Sequence, residues 1–112
     1  TILYQHIGDS VNITKKAEVN AFRVIQELVT NGIKHAEAKN INVQISCRDN
    51  TIQITVEDDG IGFDKNEITS DGIGLNNVQS RLDYLNASLD FVSNEKGTSY
   101  TIDIDKDQLN DN

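Results

Sequence analysis

Positive charge is scarce in this chain. It has 10 Lys and Arg residues against 18 Asp and Glu residues, and a formal net charge of −8. Proteins that bind nucleic acid or anionic membranes rely mostly on Lys and Arg, so this composition argues against both classes of partner. If such a chain binds a polyphosphate, the positive potential must come from local cations, backbone N–H groups or a metal ion.

Other absences limit the class of protein further. Cys47 is the only cysteine, so no internal disulfide can form, which is compatible with a reducing cytoplasm. No apolar run reaches about 18 residues, and the first residues lack a secretion signal, so no bilayer span is predicted. The chain does not begin with Met, which suggests a piece of a longer protein.

The 112 residues fit one domain with its own core. Thr14 is a plausible N-cap for a helix to about Ala36. Apolar residues at helical spacing predict its buried stripe, and Gly32 within it predicts close approach of a backbone or ligand. The stripe consists of Phe22, Ile25, Val29, Ile33 and Ala36.

Alternating apolar residues predict the strands, and a second apolar stripe predicts a second helix. The sequence therefore favours a two-layer α/β sandwich over residues 1–105, and a tail over 106–112. The predicted strands are Thr1–Ile7, a short one at Val11–Ile13, Asn40–Arg48, Thr51–Glu57, Leu89–Val92 and Ser99–Ile104, and the second helix is Leu75–Asn86.

Polar residues recur along the first helix. Glu27 and Asn31 are four residues apart and share a face, which Lys34 and His35 continue. An amide oxygen suits Mg²⁺, and an ammonium one turn further on can pair with phosphate. Taken alone, the pattern is more typical of a solvated helix face.

Asp58 ends an alternating strand and begins the glycine-containing segment that holds Gly60 and Gly62. A carboxylate here can accept from the adenine amine, whereas guanine presents a carbonyl oxygen at the equivalent place. Asp-Gly pairs also occur at ordinary turns, so this motif alone does not assign a function.

A second glycine pair, Gly72 and Gly74, leads through Leu75 into the second helix. Free N–H groups at a helix N-terminus suit a phosphate. The polar segment before it, Asp64–Asp71, is predicted to be a flap over the ligand. The three motifs in this order predict one nucleotide pocket.

In combination these motifs resemble the N, G1 and G2 boxes of the GHKL ATPase superfamily. Two segments are similar to the catalytic ATP-binding domain of bacterial sensor histidine kinases with a short lid: "VIQELVTNGIKHAEAKNINVQI" and "GIGLNNVQSRLDYLNASLDF". The resemblance covers about Thr14–Ile104 and implies a Bergerat-type fold, in which a mixed sheet is backed by helices, that binds ATP and Mg²⁺.

The resemblance also implies a role for each matching position. Asp58 would accept from the adenine amine, Asn31 would bind Mg²⁺, and Glu27 would orient a water or the metal, or act as a base. Lys34 and His35 would contact phosphates or ribose, and Thr98 would lie beneath the adenine. Close backbone approach would be allowed at Gly60, Gly62, Gly72 and Gly74, the last followed by Leu75.

The same resemblance implies a histidine acceptor on a dimerisation domain of the same protein, a response regulator downstream, and a cytoplasmic location as part of a membrane-bound kinase. The chain departs from the family in lacking an F box and in having Asn86-Ala87 where glycine is common. Neither His6 nor His35 matches the acceptor, so the fragment should not phosphorylate itself. An anti-sigma-type serine kinase and a module that no longer binds nucleotide remain alternatives.

Overall fold

The computed structural model describes residues 1–8, 13–34, 37–62 and 75–106. These residues form a five-stranded sheet and two helices, in agreement with the predicted α/β sandwich. The elements are β1 (Ile2–Gly8), α1 (Lys15–Lys34), β2 (Ile41–Arg48), β3 (Thr51–Asp58), α2 (Leu75–Leu85), β4 (Ala87–Asn94) and β5 (Gly97–Asp105).

The sheet is mixed, with the strand order β1-β2-β3-β5-β4. Only the pairing of β1 with β2 is parallel among these strands, while β2, β3, β5 and β4 pair antiparallel. The predicted short strand at 11–13 lies mostly outside the described residues, and Ile13 itself is not part of a strand.

Both hairpins have the alternation that the sequence predicts. Apolar residues of the four antiparallel strands point to the side covered by the helices, and the opposite side is polar, where Gln53 Nε2 donates to Asp103 Oδ1 at 2.9 Å. The apolar residues that form this buried side of the sheet are Ile41, Val43, Cys47, Ile52, Ile54, Val56, Tyr100, Ile102 and Ile104.

Helix α1 begins where the sequence predicts, because Thr14 Oγ1 accepts from the backbone N–H of Ala17 at 3.2 Å. The predicted buried stripe is wrong at two positions: Phe22 and Ile33 are more than half exposed, at 59% and 53%. The helix packs against both the sheet and α2, so its buried arc is rotated toward Val24 and Leu28. The full buried set on α1 is Ala17, Val24, Ile25, Leu28, Asn31 and Gly32.

Helix α2 packs against α1 through Val78, Leu82 and Leu85, which are almost completely buried. It ends at Asn86, whose φ of 52° is left-handed and which occupies the place where glycine commonly ends a helix. Asparagine adopts this conformation more readily than most residues, which accounts for the departure from glycine. Among the described residues, no helix is long and apolar enough to cross a bilayer.

Candidate functional site

The carboxylate of Asp58 is fixed at the end of β3. Its neighbours in register are Ile41 on β2 and Thr98 on β5. Asp58 Oδ1 accepts from the backbone N–H groups of Gly60 at 3.0 Å and Thr98 at 3.2 Å. Two donors from separate parts of the chain therefore set the orientation of one carboxylate oxygen, and Oδ2 accepts no hydrogen bond from the described residues.

Gly32 on α1 lies directly against this carboxylate. A Cβ built at Gly32 would lie 3.4 Å from Asp58 Oδ2 and 3.1 Å from Ile41 Cδ1. The sequence predicted a close backbone or ligand at Gly32, whereas the groups that approach it are side chains. Because glycine carries no side chain, the space beside Oδ2 stays open.

Asn31, next to Gly32, is buried with 5% of its surface exposed. Its Nδ2 atom is inaccessible, and no acceptor within the described part of the chain forms a hydrogen bond of good geometry with it. The sequence predicted that Asn31 shares an outward face with Glu27 and Lys34, but only Lys34 is exposed and Glu27 is half-buried. A buried amide that lacks a full set of partners is typical of a ligand site.

Glu27 lines a polar cleft of about 550 Å³ between α1 and α2, on the N-terminal side of Asn31. The cleft also carries the guanidinium groups of Arg23 and Arg81. Arg81 Nη1 donates to Asn20 Oδ1 at 3.0 Å and so joins the two helices. These arginines provide local positive charge in a chain of net charge −8, a contribution that the motif analysis missed.

Three glycines bring the segment after β3 against the β4–β5 turn. Gly62 has a φ of 75°, and a Cβ there would overlap the carbonyl oxygen of Asn94. Gly97 has a φ of 137°, and a Cβ there would overlap the carbonyl oxygen of Asp58. Gly60 is buried between them. The glycines thus allow two backbone segments to contact each other beside Asp58.

Thr98 is buried at 2% exposure, and its hydroxyl group lies 2.8 Å from the Ser93 hydroxyl. With Asp58 and Gly97 it lines a hollow of about 290 Å³ at this end of the sheet. The structure therefore places Asn31, Asp58, Gly60 and Thr98 close together. Glu27 lines a separate cleft, which does not include Asp58.

Several predicted site residues fall outside the described part. They are His35, Gly72, Gly74 and the side chain of Leu75, whose backbone begins α2. The predicted shared hollow between Asn31, Asp58 and Gly74 therefore stays a prediction: Asp58 lines two hollows at this end of the sheet, and Asn31 is not among the described residues that line either of them.

Tyr100 is a site residue that the motif analysis missed. It is buried at 1% exposure two residues after Thr98, on the same face of β5. Burial raises the pKa of Tyr100 to about 12; the Asn31 side chain lowers this pKa, and the charge of Asp58 raises it. Its position could have been found from the two-residue periodicity of β5.

Asp59 has a structural role that its place in the Asp58-Asp59-Gly60 motif does not reveal. Its Oδ1 accepts from the backbone N–H groups of Lys39 and Asn40, both at 2.9 Å, and its Oδ2 accepts from Asn40 Nδ2 at 2.8 Å. These bonds, above all the one from the Asn40 backbone, hold the pKa of Asp59 below its ordinary value of 3.8. Asp59 therefore fixes the connection from α1 to β2.

The described residues fit a nucleotide better than a metal ion bound by protein alone. Within them, no group of three or more His, Cys, Asp and Glu side chains could hold a metal ion. A Mg²⁺ ion would need phosphate oxygens and water in addition to an Asn31 oxygen, which is the usual arrangement for Mg²⁺ with nucleotides. Asn31 can supply one such oxygen, since a side-chain amide carries one acceptor.

Sequence comparison identifies relatives among bacterial sensor kinases. An uncharacterised sensor-like histidine kinase of Chloroflexus aurantiacus is 36% identical over 101 residues, which are 84% of this chain and 17% of that protein. Sensor histidine kinase ComP of Bacillus subtilis is 33% identical over 91 residues, which are 80% of this chain and 12% of that protein. The chain thus spans less than a quarter of the length of these relatives.

Structure comparison gives the same fold. The histidine kinase domain from the Erythrobacter litoralis EL346 blue-light activated histidine kinase superposes with a TM-score of 0.82 at 24% identity, covering 96% of this chain and 56% of that one. The model of the histidine kinase-, DNA gyrase B- and HSP90-like ATPases matches residues 16–108, which include both helices and the segment around Asp58. This chain therefore belongs to the family of histidine kinase-, DNA gyrase B- and HSP90-like ATPases.

Proposed function

We propose that this chain binds Mg·ATP and is the catalytic domain of a sensor histidine kinase. It transfers the γ-phosphoryl group to a histidine on a separate dimerisation domain, and a response regulator receives the phosphoryl group afterwards. The domain works in the cytoplasm. Named sensor histidine kinases among the relatives support this proposal.

The observation that carries the proposal is the environment of Asp58. Its Oδ1 is occupied by the N–H groups of Gly60 and Thr98, while Oδ2 faces the space that the missing Cβ of Gly32 leaves open. An adenine amine donates to Oδ2 in this space. Guanine presents a carbonyl oxygen instead, which places two acceptors against each other and costs about 1–3 kcal/mol.

The phosphates would lie beside the C-terminal part of α1, where the candidate residues Glu27, Asn31 and Lys34 occur. Asn31 and Glu27 would hold the Mg²⁺ ion, whose charge would offset that of the phosphate oxygens. Lys34, exposed in the last turn of α1, and His35 contact phosphate or ribose. Gly72, Gly74 and the backbone of Leu75 provide N–H donors for the phosphates at the beginning of α2.

Catalysis consists mainly of positioning and charge neutralisation. A nitrogen of the acceptor imidazole attacks the γ-phosphorus, a P–N bond forms, the bond from γ-phosphorus to the bridging oxygen breaks, and ADP leaves. The acceptor in the named relatives' class is histidine, which favours this reaction over transfer to a serine of a partner protein.

Titration with Mg·ATP and Mg·GTP by calorimetry tests the proposal on the wild-type chain and on Asp58→Asn. The asparagine keeps an oxygen for the N–H groups of Gly60 and Thr98, but turns an NH₂ group toward the adenine amine. We expect the wild type to bind ATP with micromolar to millimolar affinity and GTP more weakly. Loss of a hydrogen bond to a charged acceptor, about 1.5–3 kcal/mol, weakens ATP binding by the variant roughly 10- to 150-fold.

Asp90→Asn is the matched control, because Asp90 is exposed on β4 and pairs in register with Thr101, away from Asp58. It removes the same charge without changing the space beside Gly32, so ATP affinity should stay near the wild-type value. Equal binding of ATP and GTP by wild type and Asp58→Asn would refute the role of Asp58.

A further inference from the structure

We propose that Tyr100 is a positioning residue, whose hydroxyl oxygen orients the side-chain amide of Asn31 so that the amide oxygen faces the nucleotide-bound cation. The inference rests on the proposed binding of Mg·ATP. It assigns a role to a residue outside the three motifs, and the role depends on the hydroxyl group alone.

The ring of Tyr100 is held in the core below the site. It is 1% exposed and pairs in register with Val56 and Phe91 on the two neighbouring strands. Its ring centroid lies 6.0 Å from that of Phe91, with an angle of 43° between the ring planes. Because strands and an aromatic neighbour enclose the ring, the hydroxyl group has a nearly fixed place.

That place is beside Asn31 and Asp58. Asn31 lies in the last turns of α1, next to Gly32, which contacts Asp58. The Asn31 side chain is close enough to the Tyr100 hydroxyl group to lower its pKa. The contact is not a hydrogen bond of ordinary geometry, since Asn31 Nδ2 meets no acceptor at such geometry among the described residues.

The two ends of an asparagine amide have opposite hydrogen-bonding character. The nitrogen only donates and the oxygen only accepts. Nδ2 of Asn31 is the buried end, and the hydroxyl oxygen of Tyr100 is the acceptor available to it. When the nitrogen points to Tyr100, the amide oxygen points away from it. The oxygen is the end of the amide that can bind a cation.

The hydroxyl group of a tyrosine is uncharged near neutral pH, because its ordinary pKa is about 10. A neutral phenol offers Asn31 an acceptor without adding negative charge next to Asp58. Phenylalanine at this position would preserve the ring packing but remove the hydroxyl oxygen that can accept from Nδ2. Rotation of the amide by 180° would then cost little, and its NH₂ group would face the cation.

Tyr100→Phe tests the inference, with Tyr84→Phe as the matched control. The Tyr84 hydroxyl group is buried and forms no hydrogen bond within the described part of the chain. The centroid of the Tyr84 ring lies 4.9 Å from Nζ of Lys16. Lys16 is at the start of α1, roughly 22 Å along the helix from Asn31. Both variants lose one buried hydroxyl group, but only Tyr100→Phe changes the surroundings of Asn31.

The first measurement is the dissociation constant of ATP in EDTA divided by its dissociation constant in Mg²⁺. We expect Tyr100→Phe to reduce this ratio by roughly tenfold, with affinity in EDTA unchanged, and Tyr84→Phe to keep the wild-type ratio. The second is the ¹H–¹⁵N spectrum of the nucleotide-free proteins, in which the Asn31 side-chain NH₂ signals should shift in Tyr100→Phe only.

A wild-type ratio in Tyr100→Phe, or unshifted Asn31 side-chain signals, would overturn the inference. An equal loss of affinity in EDTA and in Mg²⁺ would also overturn it, because a purely structural role of Tyr100 predicts that result. Failure of the wild-type chain to bind ATP at all would instead refute the proposed function, so the two failures are distinguishable.

Discussion

Replacement of Gly32 by alanine separates the stability of α1 from nucleotide recognition. Alanine is favoured over glycine within a helix by about 1 kcal/mol. The new Cβ would lie 3.1 Å from Ile41 Cδ1, a contact that requires a shift of a few tenths of an ångström. Crowding of a packed core costs about 1–3 kcal/mol, and the lower end applies here because Cδ1 is the tip of a flexible side chain.

The two effects nearly cancel, so we expect the free energy of unfolding to change by less than about 1 kcal/mol. Nucleotide binding should respond differently. The added methyl group would lie 3.4 Å from Asp58 Oδ2, in the space that the proposed function assigns to the adenine amine. Loss of a hydrogen bond to a charged acceptor is worth about 1.5–3 kcal/mol, or roughly 10- to 150-fold in ATP affinity.

Urea unfolding followed by circular dichroism measures the stability, and calorimetric titration measures ATP affinity. Val19→Ala is the control, because Val19 lies on α1 but is exposed and distant from Asp58. It should leave ATP affinity unchanged. Unaltered ATP affinity in Gly32→Ala would refute the role assigned to the open space, and a loss of several kcal/mol in stability would refute the packing argument.

Three further changes probe other parts of the structure. Thr14→Ala removes the N-cap of α1 and should lower the free energy of unfolding in urea by about 1 kcal/mol. Gly97→Ala combines a left-handed φ with overlap at the Asp58 carbonyl oxygen, so its melting temperature should fall more than that of Thr14→Ala, and its ATP affinity should fall as well. Asp59 has a lowered pKa, so its charged form stabilises the folded protein at pH values above the unfolded-state pKa. This stabilisation is lost as the pH falls through the folded-state pKa. Melting temperatures between about pH 5 and 2.5 should therefore decline less steeply for Asp59→Asn than for wild type, and parallel declines would contradict this role.

Local patterns predicted the hairpins and the helix ends well because those features depend on neighbouring residues. Apolar alternation in β2 and β3 depends on strand geometry alone, and the N-cap at Thr14 depends on a side chain three residues from its donor. The motif positions Asn31 and Asp58 were found in the same way, although their roles remain proposals.

Long-range packing accounts for what the sequence did not reveal. Both Phe22 and Val24 have apolar neighbours at helical spacing, so periodicity alone did not select the buried side of α1. The second helix decides it, since α1 must contact α2 as well as the sheet. Burial of Asn31 and its contact with Tyr100 follow from the same arrangement of distant elements, which no short pattern contains.

The two N–H groups that hold Asp58 come from Gly60 and Thr98, so the proposed purine acceptor forms only when the strands from both halves of the chain have assembled. A partly folded chain has no such acceptor and gains nothing from nucleotide. ATP at one hundred times its dissociation constant would then add about 2.7 kcal/mol to global unfolding. In a cell rich in ATP, occupancy of the pocket would protect the whole domain from proteases as one cooperative unit.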